Sequence, residues 1–150
     1  MQPDSYYTFA SGGLGWNTPA AVGIAIAQKK SGSGRPVIAV IGDGALQYSV
    51  QSLYTAAQHK LKLIYIVPCN DEYAILKEFA VLEKTPNVPA LDLPGLDIVT
   101  TAKAFGCVGV EANTPGEIKN AFTAALDAEG PTVIAIRIAR QMRPLVPDAS

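Results

Sequence analysis

Short apolar runs alternate with longer Ala-rich stretches along this chain. Val37 to Ile41 (VIAVI) and Leu63 to Val67 (LIYIV) are apolar at every position. Continuous apolar runs of this length suit strands buried on both faces of a parallel sheet. Cys107 to Val110 and Thr132 to Ile138 read as two further strands, and Tyr6 to Ala10 as a short one near the start. Between them lie helical patterns. Asn17 or Thr18 is placed to cap a helix with Pro19 in its first turn. Residues 45–60 read as one helix, and Glu72 to Lys84 as another, with Tyr73, Leu76, Phe79 and Ala80 sharing a face. Ile98 to Phe105 suits a short helix. A further helix starts at Thr114-Pro115-Gly116-Glu117, a capping box, and is expected to end at Gly130. Strands alternating with helices predict an α/β fold: a doubly wound, mainly parallel sheet with helices on both faces. Residues 1–140 are expected to form the domain and 141–150 a loose tail.

The remaining segments are punctuation, with one exception. Residues 85–97 hold three prolines and a glycine among apolar residues. That loop is too long and too apolar to be only a connection, and it is expected to face a ligand or a partner.

Composition narrows the function. The chain has 150 residues, 49% hydrophobic and 17% charged, against an ordinary ~25% charged. Such a surface suits association. With 12 basic and 13 acidic residues and no basic patch, nucleic-acid binding is not expected. No apolar run reaches the ~18 residues of a membrane span, and the first residues do not read as a signal peptide. Two distant cysteines, Cys69 and Cys107, fit neither a disulfide framework nor a zinc site, so a reducing cytoplasm is expected.

In open α/β sheets, ligands bind beyond the carboxyl ends of the strands. Two polar clusters stand at such ends: Gly42-Asp43-Gly44, and Cys69-Asn70-Asp71. A third, Gly12-Gly13-Leu14-Gly15, follows the first strand. Glycines beside Asp43 permit close backbone approach to a ligand. The Asp43 carboxylate, the Asn70 amide oxygen and a nearby carbonyl are hard donors suited to Mg²⁺, which draws further oxygens from phosphate and water. Neither cluster contains Lys or Arg, so a metal is the natural counter-charge for a diphosphate. Each cluster alone is more often a plain turn; the pairing at consecutive strand ends is what points to function. His59 reads as a solvated helix end, Cys69 as a small buried hydrophobe, and Trp16 and Tyr48 as residues that either pack or stack on a ligand. Glu72, Glu78 and Glu83 read as a solvated helix face.

Gly42-Asp43-Gly44, followed one helix and one strand later by Cys69-Asn70, resembles the thiamine-diphosphate motif, which normally ends Asn-Asn. SGGLGWNTPAAVG, GDGALQYSVQSLYTAAQ, NDEYAILKEFAVLE and NVPALDLPGLD extend the resemblance to the benzoylformate decarboxylase branch of the 2-oxo-acid decarboxylases, over nearly the whole chain. What is present resembles the C-terminal, diphosphate-binding domain of those enzymes, without their pyrimidine-binding and central domains. The resemblance implies thiamine diphosphate and Mg²⁺ as cofactors. It implies Asp43 and Asn70 as side-chain metal ligands and Glu72 as a ligand through its carbonyl. Gly42, Gly44, Ala45, Tyr73 and Ala74 would lie along the diphosphate. Leu14 would be the apolar wedge under the bent cofactor, and Gly12, beside Gly13, would accept a hydrogen bond from the aminopyrimidine. Ile75, Leu76 and Phe79 would border the substrate pocket. The glutamate that activates the cofactor belongs to the pyrimidine-binding domain, so no catalytic residue is assigned here. That domain and further copies of the chain are the implied partners. Cys69 stands for the first Asn, Ala45 where a hydroxyl residue is common, and Ile75 where a smaller residue is usual.

Two other readings compete. Gly13-Leu14-Gly15 invites a Rossmann-type dinucleotide domain, but its third glycine would fall at Thr18. An assembly module with the same fold and no cofactor is the other; Asp43 and Asn70 speak against it.

Overall fold

A computed structural model describes residues 5–8, 12–85 and 87–140. Its elements run α1 (Asn17–Lys30), β1 (Val37–Val40), α2 (Asp43–Gln47), α3 (Ser52–Gln58), β2 (Leu63–Cys69), α4 (Ala74–Leu82), α5 (Ile98–Ala104), β3 (Val108–Glu111), α6 (Pro115–Asp127) and β4 (Thr132–Arg137). The four strands form one parallel sheet in the order β1-β2-β4-β3. This is the α/β architecture that the apolar runs imply.

The side-chain period of a strand divides the core into two. Leu63, Tyr65, Val67 and Cys69 of β2 face a larger cluster with Val133 of β4. That cluster contains Ala21, Val22 and Ala25 from α1, Leu46 from α2, Leu53 and Ala56 from α3, and Ala102 from α5. The opposite side holds Ile64 and Ile134, with Ala112 and Ala125 and half-buried Ile118, Ala121 and Phe122 around α6. Helices thus cover both faces. Tyr65 is fully buried and donates its hydroxyl to the Thr18 carbonyl at 3.0 Å; burial raises its pKa. Beyond the cover of α6, Ile38 and Val40 of β1 stay 47% and 63% exposed.

Several expected boundaries move. Tyr6–Thr8 carry no strand, and Phe9 and Ala10 lie outside the described residues, as does the tail 141–150. α1 is preceded by Trp16 with no side-chain cap, so neither Asn17 nor Thr18 caps it. Thr18 is instead fully buried, inside the first turn. The helix expected over 45–60 splits into α2 and α3, because Tyr48, Ser49 and Ser52 donate to the carbonyls three residues back. α6 carries the capping box of Thr114 and Glu117 but ends at Asp127, where Ala128 turns extended, rather than at Gly130. β2 runs on through Pro68 to Cys69. β3 begins and ends one residue later than expected. No helix among the described residues is long and apolar enough to cross a membrane.

Gly109 is where β3 meets α5. A Cβ there would sit 2.6 Å from the Val99 carbonyl oxygen, which is backbone and cannot swing away. Gly109→Ala is expected to destabilise the fold by about 1–3 kcal/mol through overpacking, read as a lowered midpoint in chemical denaturation with an unchanged slope.

Candidate active site

Asp43 is the joint between two strand ends. β1 leads into buried Ile41, whose N–H donates to the Ile66 carbonyl at 3.0 Å, and Gly42 then stays extended while the chain turns into α2. Asp43 opens α2 and is 2% exposed. Its Oδ1 accepts the Gly44 N–H at 2.8 Å. Its Oδ2 accepts the N–H groups of Asn70 and Asp71, at 3.1 and 2.9 Å, from the turn after β2. A buried carboxylate needs such donors. Here they also fix Asn70 beside it, as the spacing of the two clusters implies.

The turn after β2 is unusual. Asp71 has φ +55°, a left-handed conformation that suits Asp and Asn among non-glycine residues. Asn70 Oδ1 lies 3.4 Å from the Glu72 N–H. Tyr73 then precedes α4 and folds its ring over Gly44. A Cβ on Gly44 would overlap that ring, so a side chain there would force the ring to move. The Tyr73 hydroxyl reaches the Gly44 carbonyl at 3.4 Å, and burial, reinforced by Tyr48, raises its pKa. Tyr48 meets Tyr73 edge-on with centroids 6.2 Å apart. Gly15, at φ +86°, lies so close that a Cβ would collide with Tyr48. The three glycine and acid clusters of the sequence are therefore joined by contact: Gly15 to Tyr48, Tyr48 to Tyr73, and Tyr73 to Gly44. Leu14 is half-buried in that first turn, with Gly12 and Gly13 exposed ahead of it.

Ala74, Ile75, Leu76 and Phe79 all lie on α4, which buries none of its residues. Ile75 and Phe79 are 43% and 48% exposed. Cys69 is buried as expected, and its thiol is pushed up to about 11, by burial first and then by the Asp43 charge. His59 is exposed at the end of α3, and its carbonyl accepts Lys29 Nζ at 2.6 Å. Trp16 and Tyr48, read as either packing or ligand-stacking residues, are both 56% exposed; Tyr48 packs through one edge.

Glu72 corrects the sequence reading. It precedes α4 instead of lying on it, and it is buried, not part of a solvated face. Its carboxylate is bound by Lys77 at 2.6 Å, and the same Lys77 nitrogen binds Asp92 at 2.8 Å. These bonds raise the Lys77 pKa, Asp92 contributing most, and lower that of Asp92. The 85–97 loop is thereby drawn onto the site. Residues 91 and 93 pair with 73 and 71: the Tyr73 N–H donates to the Leu91 carbonyl at 2.8 Å and the Leu93 N–H to the Asp71 carbonyl at 2.9 Å. From β4, Arg137 binds the Asp71 carboxylate at 2.7 Å, which raises its own pKa. Arg140 donates to the Asp71 carbonyl at 3.3 Å. Lys77, Asp92 and Arg137 went unnoticed in the sequence, and Asp71 stood there only as a member of the strand-end cluster. Lys77 and Asp92 are 15 residues apart, and only the folded loop brings them together.

Among the described residues, one cleft borders this site and another lies apart from it. One, of about 530 Å³, lies between α4 and the loop, lined by Ala80, Val81, Val88 and Leu91. The other, of about 520 Å³, lies between Tyr6, Tyr7, α1 and the exposed face of β1. Among the described residues, no three or more His, Cys, Asp or Glu side chains are grouped to hold a metal.

The family model "Thiamine pyrophosphate enzyme, C-terminal TPP binding domain" matches residues 1–136. Benzoylformate decarboxylase of Pseudomonas aeruginosa is 38% identical over 135 residues, covering 90% of this chain and 25% of that protein. The crystal structure of benzoylformate decarboxylase from Polynucleobacter necessarius superposes with a TM-score of 0.91 at 54% identity, over 96% of this chain and 27% of the other. A thiamine-diphosphate-dependent 4-hydroxybenzoylformate decarboxylase of Rhodococcus jostii RHA1 gives a TM-score of 0.84 at 39% identity, over 93% and 26%. The chain thus spans about a quarter of the length of these relatives. With the fold, the Gly-Asp-Gly turn and these likenesses in agreement, the chain belongs to the family of C-terminal thiamine-pyrophosphate-binding domains.

Proposed function

We propose that this chain binds the diphosphate of thiamine diphosphate through Mg²⁺, as the C-terminal part of a non-oxidative 2-oxo-acid decarboxylase of the benzoylformate type. The observation that carries the reading is the buried Asp43 carboxylate, tied to Asn70 and Asp71 by backbone N–H groups at the ends of β1 and β2. The donor set suits the metal. Asp43 offers carboxylate oxygen, Asn70 an amide oxygen and Glu72 a backbone carbonyl, all hard donors of the kind Mg²⁺ takes, with the remainder supplied by phosphate and water. The nearby cations are already engaged, Lys77 by Glu72 and Asp92 and Arg137 by Asp71. A diphosphate here would need a counter-charge of its own, and the metal is one.

When bound, the cofactor supplies the electron sink for loss of CO₂. The chain's residues hold and orient. Asp43, Asn70 and Glu72 would fix the metal. Gly42, Gly44, Ala45, Tyr73 and Ala74 would lie along the diphosphate, with Gly44 kept small by the Tyr73 ring. Leu14 would support the bent cofactor, and the Gly12 carbonyl, beside Gly13, would accept from the aminopyrimidine. Ile75, Leu76 and Phe79 would exclude water from the substrate's side chain. The activating glutamate of the resemblance belongs to a pyrimidine-binding domain, which would close the other wall. Apolar exposure on α4 and β1 suits contact with that domain and with further copies of the chain. On α1, Val22 and Ala25 are buried in the core, while Ile24 and Ile26 are half-buried. Two free, buried thiols suit the cytoplasm.

Titration with thiamine diphosphate and Mg²⁺, followed by Trp16 fluorescence, tests the reading. The chain is expected to respond only with both present, and not to NAD. Asp43→Ala is expected to abolish the response with the circular dichroism of the fold retained, and Asn70→Ala to weaken it nearly as far. An unchanged Mg²⁺ dependence in either variant contradicts the metal assignment. The chain alone is expected to release no CO₂ from benzoylformate or pyruvate above background; steady turnover would contradict the missing-wall account. Light scattering at tens of micromolar is expected to show self-association, and a strictly monomeric mass would contradict it.

A further inference from the structure

The turn 70–73 has to be rigid for its oxygens to serve one ion, yet little of its own chemistry makes it so. Asp71 sits at φ +55°, a conformation that must be held by what surrounds it. The Asn70 bond to the Glu72 N–H is long, at 3.4 Å. The turn is pinned on one side by Asp43. On the other it rests on the strap of residues 91–93, which belongs to a loop whose outer part is exposed from Asn87 to Ala90.

We propose that Lys77 is a positioning residue for the cofactor site: by holding the buried Glu72 carboxylate and the strap's Asp92 on one ammonium group, it locks the 70–73 backbone in place. The inference rests on the function proposed above for that turn, and it names a residue outside the ligand set. Three elements meet at the Lys77 nitrogen. Glu72 lies in the turn, Lys77 one turn into α4, and Asp92 on the strap. The Glu72 side chain is 6% exposed and that of Asp92 62%. The two bonds therefore differ in kind. The exposed pair with Asp92 is screened and contributes little alone. The bond to Glu72 neutralises a carboxylate that burial would otherwise expel, and expelling it would drag the Glu72 backbone carbonyl with it. That carbonyl belongs to the donor set, so the lysine would act on the metal through the backbone. Partners of this outer kind typically change metal affinity 10- to 100-fold.

The test compares the full chain with Lys77→Met, Lys77→Arg and Asp92→Asn. Amide exchange at Tyr73 and Leu93 is measured without metal or cofactor. In Lys77→Met it is expected to quicken about tenfold relative to amides of β2 and β4, with Lys77→Arg restoring most of the protection. The Mg²⁺ concentration for half-maximal binding of thiamine diphosphate is expected to rise about tenfold in Lys77→Met, less in Asp92→Asn, and to return towards that of the parent in Lys77→Arg. Asp92→Asn changes an exposed side chain, so it keeps the test open should Lys77→Met fold poorly. Unchanged exchange in Lys77→Met, or an unchanged Mg²⁺ midpoint, overturns the proposal; so does loss that Lys77→Arg fails to restore. If the parent chain shows no Mg²⁺-dependent binding at all, the function proposed above falls instead, and the exchange arm decides on Lys77 by itself.

Discussion

A carboxylate taken almost wholly out of water has to be surrounded by donors, and in this chain the donors are backbone. Asp43 receives N–H groups from Gly44, Asn70 and Asp71, so one side chain fastens the end of β1 to the turn that leaves β2. The parallel pairing of Val37 to Val40 with Leu63 to Ile66 makes this possible: β2 runs three residues past the last pair, Val40 with Ile66, so its end comes level with Asp43. The rest of the site follows. With Asn70 held beside Asp43, the chain must turn sharply through Asp71, and Tyr73 is delivered onto Gly44. The tyrosine ring then meets Tyr48, which rests against Gly15.

Around this joint the charges form two sets that Arg140 links through Asp71 and Asp92. Lys77 serves Glu72 and Asp92; Arg137 serves Asp71 and, at 3.5 Å, Glu111. These ion pairs surround the turn and leave Asp43 to its backbone donors. Lys77, Arg137 and Arg140, the described cations beside the turn, are each held by a carboxylate. The exposed apolar residues of α4, among them Ile75, Phe79 and Val81, stand beside that charged set.

The sheet and the Asp43–Asn70 pairing were legible in the sequence because each rests on a local signal. VIAVI and LIYIV are apolar throughout, and their strands appear where those letters stand; Thr114 and Glu117 spell out their own capping box. What was not legible is long-range. Glu72 looks like one more helix-surface acid until residues 91–93 pair with the turn and bury it. Tyr6 to Thr8 have strand-like composition, yet composition cannot supply a neighbouring strand to pair with. Gly130 has the residue type of a helix end, but the chain leaves helical geometry at Ala128, and Pro131 follows to begin the approach to β4.

The central claim is that Asp43 and Asn70 form one metal site at the joined ends of β1 and β2. It is tested most directly by Mn²⁺ as a paramagnetic substitute for Mg²⁺, added with thiamine diphosphate to the ¹⁵N-labelled chain and followed by amide resonances. The account predicts that the signals of Asp43, Gly44, Asn70 and Asp71 broaden first, that those near Gly109 and Glu117 stay sharp, and that excess Mg²⁺ restores the lost signals. Broadening centred on other acidic residues, or none that depends on the cofactor, would contradict it.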